Sequence, residues 1–331
     1  MSIASPSRPK NIYEQIVEVQ RVLAGPHPGY RPVHAKGLVC AGAFRASAEA
    51  RSLCRAVHLM GQPVPTVIRF SNASGDPEIH DGLRNVRALS VKFQLPDGDG
   101  ADILANSIEG FPARTPEEFL DFLRAQLPER DTGKPAPDRI TRFVDSHAAT
   151  KAFMDRLSKK PVPASYAQAS YHAVHAFQFT GIGGTRRFGR YIWVPEVGEA
   201  FLSPDAAVKR DANFLREELD ERLDRGPVVF RLDLQLAANG DPTDNATALW
   251  PADRPVVELG RLEITRISPT SAADERRLVF DPANRTNGID LSTDPILLAR
   301  PAAYSISFDR RTVDRAIGRE RSKPSTQGTA S

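Results

Sequence analysis

The sequence predicts an α+β fold: an antiparallel sheet or barrel with helices packed outside it. Three observations support this. After an opening helix come strand-like segments, then helices, then strands again and a final helix, with none of the repeated βα alternation that a parallel sheet needs. Val228, Phe230, Leu232, Leu234 and Leu236 alternate with mostly polar neighbours, the period of a half-buried strand. Gly181-Ile182-Gly183-Gly184 separates two runs, 175–180 and 186–194, as the turn of a hairpin.

In chain order, Ile12, Ile16, Val19, Val22 and Leu23 recur at helical spacing, so the first element is an amphipathic helix that Gly25-Pro26 ends. Residues 31–44 are rich in valine, glycine and small side chains and read as extended. Residues 64–71 and 87–95 are strand candidates dense in Val, Ile, Phe and Leu. Thr115-Pro116-Glu117-Glu118 is a capping box with proline at the first helical position, opening a helix to about Arg124. From 127 to 164 the pattern is helical and proline-rich. A phosphate-cradling loop is the sharper reading of 181–184, but no helix follows and the Lys-Ser/Thr pair of a P-loop is missing. Ser203-Pro204-Asp205 starts a long charged helix to about Arg225, read as a solvated face, and 258–267 repeats the strand character of 228–236. No internal repeat or boundary interrupts the chain. It reads as one domain over 1–321 with a polar, disordered tail over 322–331.

Composition narrows the function. The chain has 331 residues, 40% hydrophobic and 26% charged, the balance of a water-exposed globular protein. A net charge of +3, with no run of like charges, argues against a nucleic-acid face. Nothing approaches the roughly 18 consecutive apolar residues of a membrane span. Residues 1–10 lack the apolar core of a secretory leader. Cys40 and Cys54 are the only cysteines, too few for a disulfide framework, so a reducing, cytoplasmic compartment is the expectation.

Three separated segments carry chemistry. The first is Arg31-Pro32-Val33-His34-Ala35-Lys36-Gly37, where a histidine on an extended segment is ordinarily a hydrogen-bonded structural residue. The second is Ile68-Arg69-Phe70-Ser71 with Asp102-Ile103-Leu104-Ala105-Asn106, alone merely strands with polar ends. The third is Phe280-Asp281-Pro282 followed by a helix over 296–304, which Ser292 or Asp294 can cap. Arg300 and Tyr304, four apart, share one face of it. The plain reading is a packed tyrosine with an arginine snorkelling past it. His172 and His175 could begin a metal site, but no cysteine or carboxylate cluster completes it. A serine hydrolase is unsupported because no Gly-x-Ser-x-Gly elbow appears.

Together and in order, these segments resemble the haem catalase superfamily across nearly the whole chain. The family's Arg-Val-Val-His-Ala-Lys-Gly falls on Arg31 to Gly37, its Val-Arg-Phe-Ser on Ile68 to Ser71, and its Asp-Leu-Val-Gly-Asn on Asp102 to Asn106. Its Phe-Asp-Pro and Arg-x-x-x-Tyr fall on Phe280 to Pro282 and on Arg300 to Tyr304. Asp244 and Trp250-Pro251 match a further family segment. The size is that of the small catalase-related peroxidases, with no room for the arm, wrapping loop and extra helices of full-size catalases. Leu38-Val39-Cys40 looks like an insertion, and Pro301 lies inside the proximal helix, where it removes one backbone hydrogen bond.

The resemblance implies an eight-stranded catalase-like barrel flanked by helices, and haem b as cofactor with Tyr304 as the axial ligand of its iron. An unperturbed phenol has a pKa of about 10, so ligation needs a cation beside it, and Arg300 is one turn away. Tyrosine ligation is a recognised property of catalases. By the same resemblance His34 moves the peroxide proton, Asn106 orients the peroxide, and Ser71 fixes the His34 tautomer. Arg31, Arg69 and Arg311 match propionate-binding arginines, while Val33 and Phe111 line the cofactor pocket. The implied activity is a peroxidase reducing hydrogen peroxide or organic hydroperoxides with a small organic donor, as a homo-oligomer, dimer first, with weak catalase turnover. One rival is an allene oxide synthase-like isomerase, a group that places threonine where this chain has Val33. The other is a barrel that merely stores haem, which would need neither His34 nor Asn106.

Overall fold

Alternating apolar side chains force most of these strands to bury one face, and in the computed structural model they do so by closing on themselves. The structure describes residues 10–96, 100–129, 131, 133–134 and 136–321, so the expected tail over 322–331 lies outside the described residues. The chain opens with α1 (Ile12–Ala24), β1 (Gly37–Ala46), α2 (Ala48–Leu53), β2 (Val64–Asn72), β3 (Arg87–Gln94) and β4 (Gly100–Asn106). Next come α3 (Pro116–Ala125), α4 (Pro137–Ser146), α5 (Ala148–Lys159), β5 (Val162–Pro163), β6 (Tyr171–His172), β7 (Phe177–Thr180) and β8 (Arg186–Pro195). The remainder is β9 (Phe201–Leu202), α6 (Pro204–Val208), α7 (Phe214–Arg225), β10 (Val228–Leu236), β11 (Val256–Ile267), α8 (Ser271–Arg277), β12 (Ile289–Leu291) and α9 (Pro295–Arg321).

Strand pairing runs β10-β11-β1-β2-β3-β4-β6-β8, and β8 pairs back with β10, which closes an antiparallel eight-stranded barrel. The first half of β8 also pairs with β7, which carries β12, so that hairpin extends the barrel at one side. The turn at 181–184 is the expected hairpin, with Gly184 at φ +81 and the Gly181 amide donating to the Thr185 carbonyl at 2.9 Å. β1 carries a bulge against β11 between Ala41 and Gly42. A Cβ at Gly42 would overlap the Glu263 carbonyl, so only glycine fits there.

The barrel interior is filled. Phe44, Phe70, Phe93, Trp193 and Phe230 are all fully buried in one core, with Phe44 and Phe93 edge-on at 5.2 Å. The ligand space must therefore lie outside the barrel wall. Among the described residues no helix is long and apolar enough to cross a membrane.

Three local expectations need correction. The segment before Gly37 is an irregular turn and not a strand, and His34 has φ +60. The charged helix expected from Ser203 to Arg225 breaks at 209–213 into α6 and α7, and Phe214, Leu215 and Leu219 of α7 are buried, so one of its faces packs. At α3 the Thr115 hydroxyl accepts the Glu118 N–H, but the Glu118 carboxylate accepts from Arg114 instead of Thr115, giving only half a capping box.

Candidate functional site

Strand alternation builds the floor. On β2, Ile68 and Phe70 point into the barrel core, which turns Arg69 and Ser71 outward. Register continues the patch: Arg69 pairs with Ser90 and Ser71 with Ala88, and these pair in turn with Leu104 and Asn106 on β4. All six line a cavity of about 270 Å³ between the barrel wall, α9, α1 and α3. From α9 come Ile296, Arg300, Tyr304 and Arg311, a stripe at helical spacing. From α1 come Ile16 and Gln20. Phe111 stands at the wall with its ring 5.0 Å from Phe119 of α3.

Every residue that the resemblance assigned to cofactor or peroxide borders this one cavity: Arg31, Val33, His34, Arg69, Ser71 and Asn106 from the barrel side, Phe111 from the loop before α3, and Arg300, Tyr304 and Arg311 from α9. The His34 Nδ1 lies 3.1 Å from the Ser71 hydroxyl, and its carbonyl accepts from Arg69 at 2.7 Å. Among the described residues His34 is the one non-glycine residue with positive φ. That geometry costs about 1–2 kcal/mol and persists where the surroundings impose it. Burial first, then the Arg69, Arg300 and Arg31 charges, push the His34 pKa down to about 3, so the imidazole is neutral. The Asn106 side chain makes no hydrogen bond among the described residues.

At the opposite wall the Tyr304 phenol oxygen accepts from Arg300 Nε at 2.8 Å and also from its Nη2. Two charge-assisted donors on one oxygen suit an anionic oxygen. Pro301 does not interrupt the helical backbone between them.

Three guanidinium groups gather at one end. Arg69 donates to both Glu275 carboxylate oxygens at 2.6 and 2.8 Å, and Arg31 to the same carboxylate at 2.8 Å. Arg311 donates to the Leu278 carbonyl at 2.8 Å, and its Nε is buried without a partner. Burial, then Arg69, holds Arg31 well below the ordinary arginine range; burial, then Arg315 and Arg69, brings Arg311 down to about 10. Three cations meet one carboxylate, leaving two positive charges unmatched. A Cβ at Gly37 would collide with the Arg69 guanidinium, so glycine there keeps the cluster's place.

One participant escaped sequence reasoning. Glu275, inside a charged run, carries no spacing signal of its own. His175 does not pair with His172. Its Nδ1 lies 2.8 Å from Asp294, while His172 approaches Glu109 at 3.6 Å. Among the described residues no group of three or more metal-ligating side chains forms. Asp294 also accepts from Ile296 N–H at 2.9 Å, so of the two capping candidates it is the one that caps α9. Burial alone would raise the Asp294 carboxyl, but His175 and the amide donors bring it below the usual carboxylate range.

The family model described as Catalase matches residues 27–314. The chain belongs to the catalase family. This catalase-family protein is 38% identical over 304 residues to a catalase-related peroxidase of Mycolicibacterium paratuberculosis, covering 91% of this chain and 96% of the relative. A catalase-related peroxidase of Synechococcus elongatus is 34% identical over 90% of this chain and 88% of its own length. Catalase-2 of Bacillus subtilis is 29% identical, but the match covers only 43% of it. Among solved structures, a fungal catalase superposes with TM-score 0.78 at 19% identity and a bacterial catalase with 0.77 at 22%. Those matches cover 91% and 94% of this catalase-family chain and about three fifths of the solved ones, 62% and 63%.

Proposed function

We propose that this protein is a haem b peroxidase that reduces hydrogen peroxide or organic hydroperoxides at the expense of a small organic electron donor, with Tyr304 as the axial ligand of the iron. The observation that carries this reading is a single cavity in which a phenol oxygen backed by two guanidinium donors shares the space with a neutral, strained histidine.

The donor set fits the group. Arg31, Arg69 and Arg311 present two unmatched positive charges, the number that the two propionates of haem would neutralise, and the buried Arg311 Nε lacks a partner. Neither cysteine borders the cavity, which suits haem held without thioether links. Val33 and Phe111 supply apolar contact. Bound haem would supply a redox-active iron that accepts oxidising equivalents from the peroxide.

The chain's own residues manage the proton and the pose. With Nδ1–H donating to the Ser71 hydroxyl, His34 presents the Nε2 lone pair as a base. It takes the peroxide proton and returns it to the departing oxygen, so the leaving group departs as water or alcohol. The Asn106 amide orients the peroxide. Arg300 keeps two donors on the Tyr304 oxygen, favouring the phenolate that ligation requires. Asp294 and His175 anchor the start of the same helix. A haem store would have no use for a strained histidine, since the φ of His34 costs stability that storage does not repay.

The test uses haem-loaded protein with hydrogen peroxide or cumene hydroperoxide and guaiacol as donor. Donor oxidation should exceed oxygen release, and His34→Ala should retain haem but slow the peroxide step by about 10²-fold. No donor oxidation, or a His34→Ala rate equal to wild type, overturns the reading.

A further inference from the structure

Behind the arginine cluster lies a second, larger cavity of about 870 Å³. Arg31 and Arg311 border both spaces, so it adjoins the edge at which the cofactor's propionates would sit. Its other cations are Lys36, Arg216, Arg276 and Arg315. Three of the four carboxylates lining it are already engaged, and the fourth, the exposed Glu78, is in no ion pair among the described residues. Asp81 takes Lys36 at 2.8 Å, Asp314 takes Arg21 at 2.8 Å, and Glu275 takes Arg31 and Arg69. The side chains of Arg216 on α7 and Arg276 on α8 make no ion pair and no hydrogen bond among the described residues, and both residues are exposed. Tyr30, half exposed, lines the same cavity.

A solvated arginine ordinarily needs no explanation. Here two such groups face a cavity lined by six cations and four acids, Glu78 among them, so the field in it is net positive and concentrates anions. Guanidinium groups pair with carboxylates in two-pronged fashion and stack on aromatic faces. We propose that this cavity binds the electron donor as an aromatic anion, its carboxylate on Arg216 and Arg276 and its ring against Tyr30, beside the cofactor's propionate edge. The inference rests on the peroxidase reading above and names its donor class. Each donor molecule AH gives up one electron and one proton: ROOH + 2 AH → ROH + H2O + 2 A•. The O–O bond breaks, two O–H bonds form, and the hydroperoxide is the oxidant.

Ferulate and guaiacol share a methoxyphenol ring and differ in the carboxylate. With the haem-loaded full chain, Arg216→Gln/Arg276→Gln should raise the KM for ferulate about tenfold, ~1.4 kcal/mol, at unchanged kcat. Guaiacol oxidation and the rate of the peroxide step should not move. Calorimetric titration of ferulate without peroxide should weaken by the same factor, and Arg216→Lys/Arg276→Lys should restore most of it. An unchanged ferulate KM and affinity overturns the proposal, as does an equal loss for guaiacol. Inorganic phosphate displacing ferulate as well as benzoate does would reduce the cavity to a general anion site and also overturn it. If wild type oxidises neither donor, the peroxidase reading fails, and the calorimetric arm alone decides whether the cavity takes the aromatic anion.

Discussion

At His34 the backbone and the imidazole are both held away from their ordinary states. The φ of +60 is imposed by the Arg69 donor on its carbonyl and by Ala35 N–H reaching the Ser74 carbonyl at 2.8 Å. The ring stays neutral because burial and three nearby guanidinium groups oppose its charge. His58, buried against Phe93, is likewise pushed down to about 4 by burial. In the unfolded chain both titrate near about 6.5. Between that value and each depressed one, the unfolded chain binds a proton that the folded chain refuses. Stability should therefore rise with pH through this window and be lost on acidification below about 6.5. Thermal melts of apoprotein from about pH 3 to 7 check this: His58→Leu should show a shallower acid slope than wild type, and an identical slope would remove His58 from the account. His34, Asn106, Arg300 and Tyr304 were legible because each stands in a short ordered motif. Glu275 was not, because what identifies it is contact with Arg69 and Arg31, 206 and 244 residues away.

α9 shows what a single element contributes. Asp294 caps it at the first amide groups and holds the buried His175 ring, so one carboxylate secures both the start of the helix and its seat on the β7 side. Asp294→Ala removes a cap, worth about 1 kcal/mol, and strands a buried imidazole N–H, a further ~1–3 kcal/mol. Denaturant unfolding should show a loss of about 2–4 kcal/mol in sum, and Asp294→Asn, which keeps an acceptor, should lose less. Equal stability of Asp294→Ala and wild type would contradict this role. Periodicity gave α1 and β10, apolar density β2 and β3, the glycine turn β8 and the capping residues α3, each to within a few residues because each signal is local. The break between α6 and α7 was hidden because charged residues fill 209–211 without a proline or glycine. The turn at His34 was hidden because valine and small residues favour extended backbone, and contacts from distant residues, Arg69 and Ser74, override it.

For the whole molecule the main consequence of closure is where the ligand space falls. Pairing of β8 with β10 completes the ring, and aromatic residues fill its interior, so the chemistry moves to the outer face of β2, β3 and β4 under α9. No local pattern reveals that closure, because it depends on the register of strands far apart in sequence; the family resemblance supplied it. The outer position also leaves the arginine cluster between two cavities, both bordered by Arg31 and Arg311. The central claim is that Tyr304, backed by Arg300, ligates haem iron in the first of them. The most direct measurement is the absorbance spectrum and haem affinity of purified, haem-loaded wild type and Tyr304→Phe. The account predicts a high-spin ferric spectrum in wild type that is lost or strongly altered in Tyr304→Phe, with weakened haem binding. An identical spectrum and affinity in the variant would contradict it.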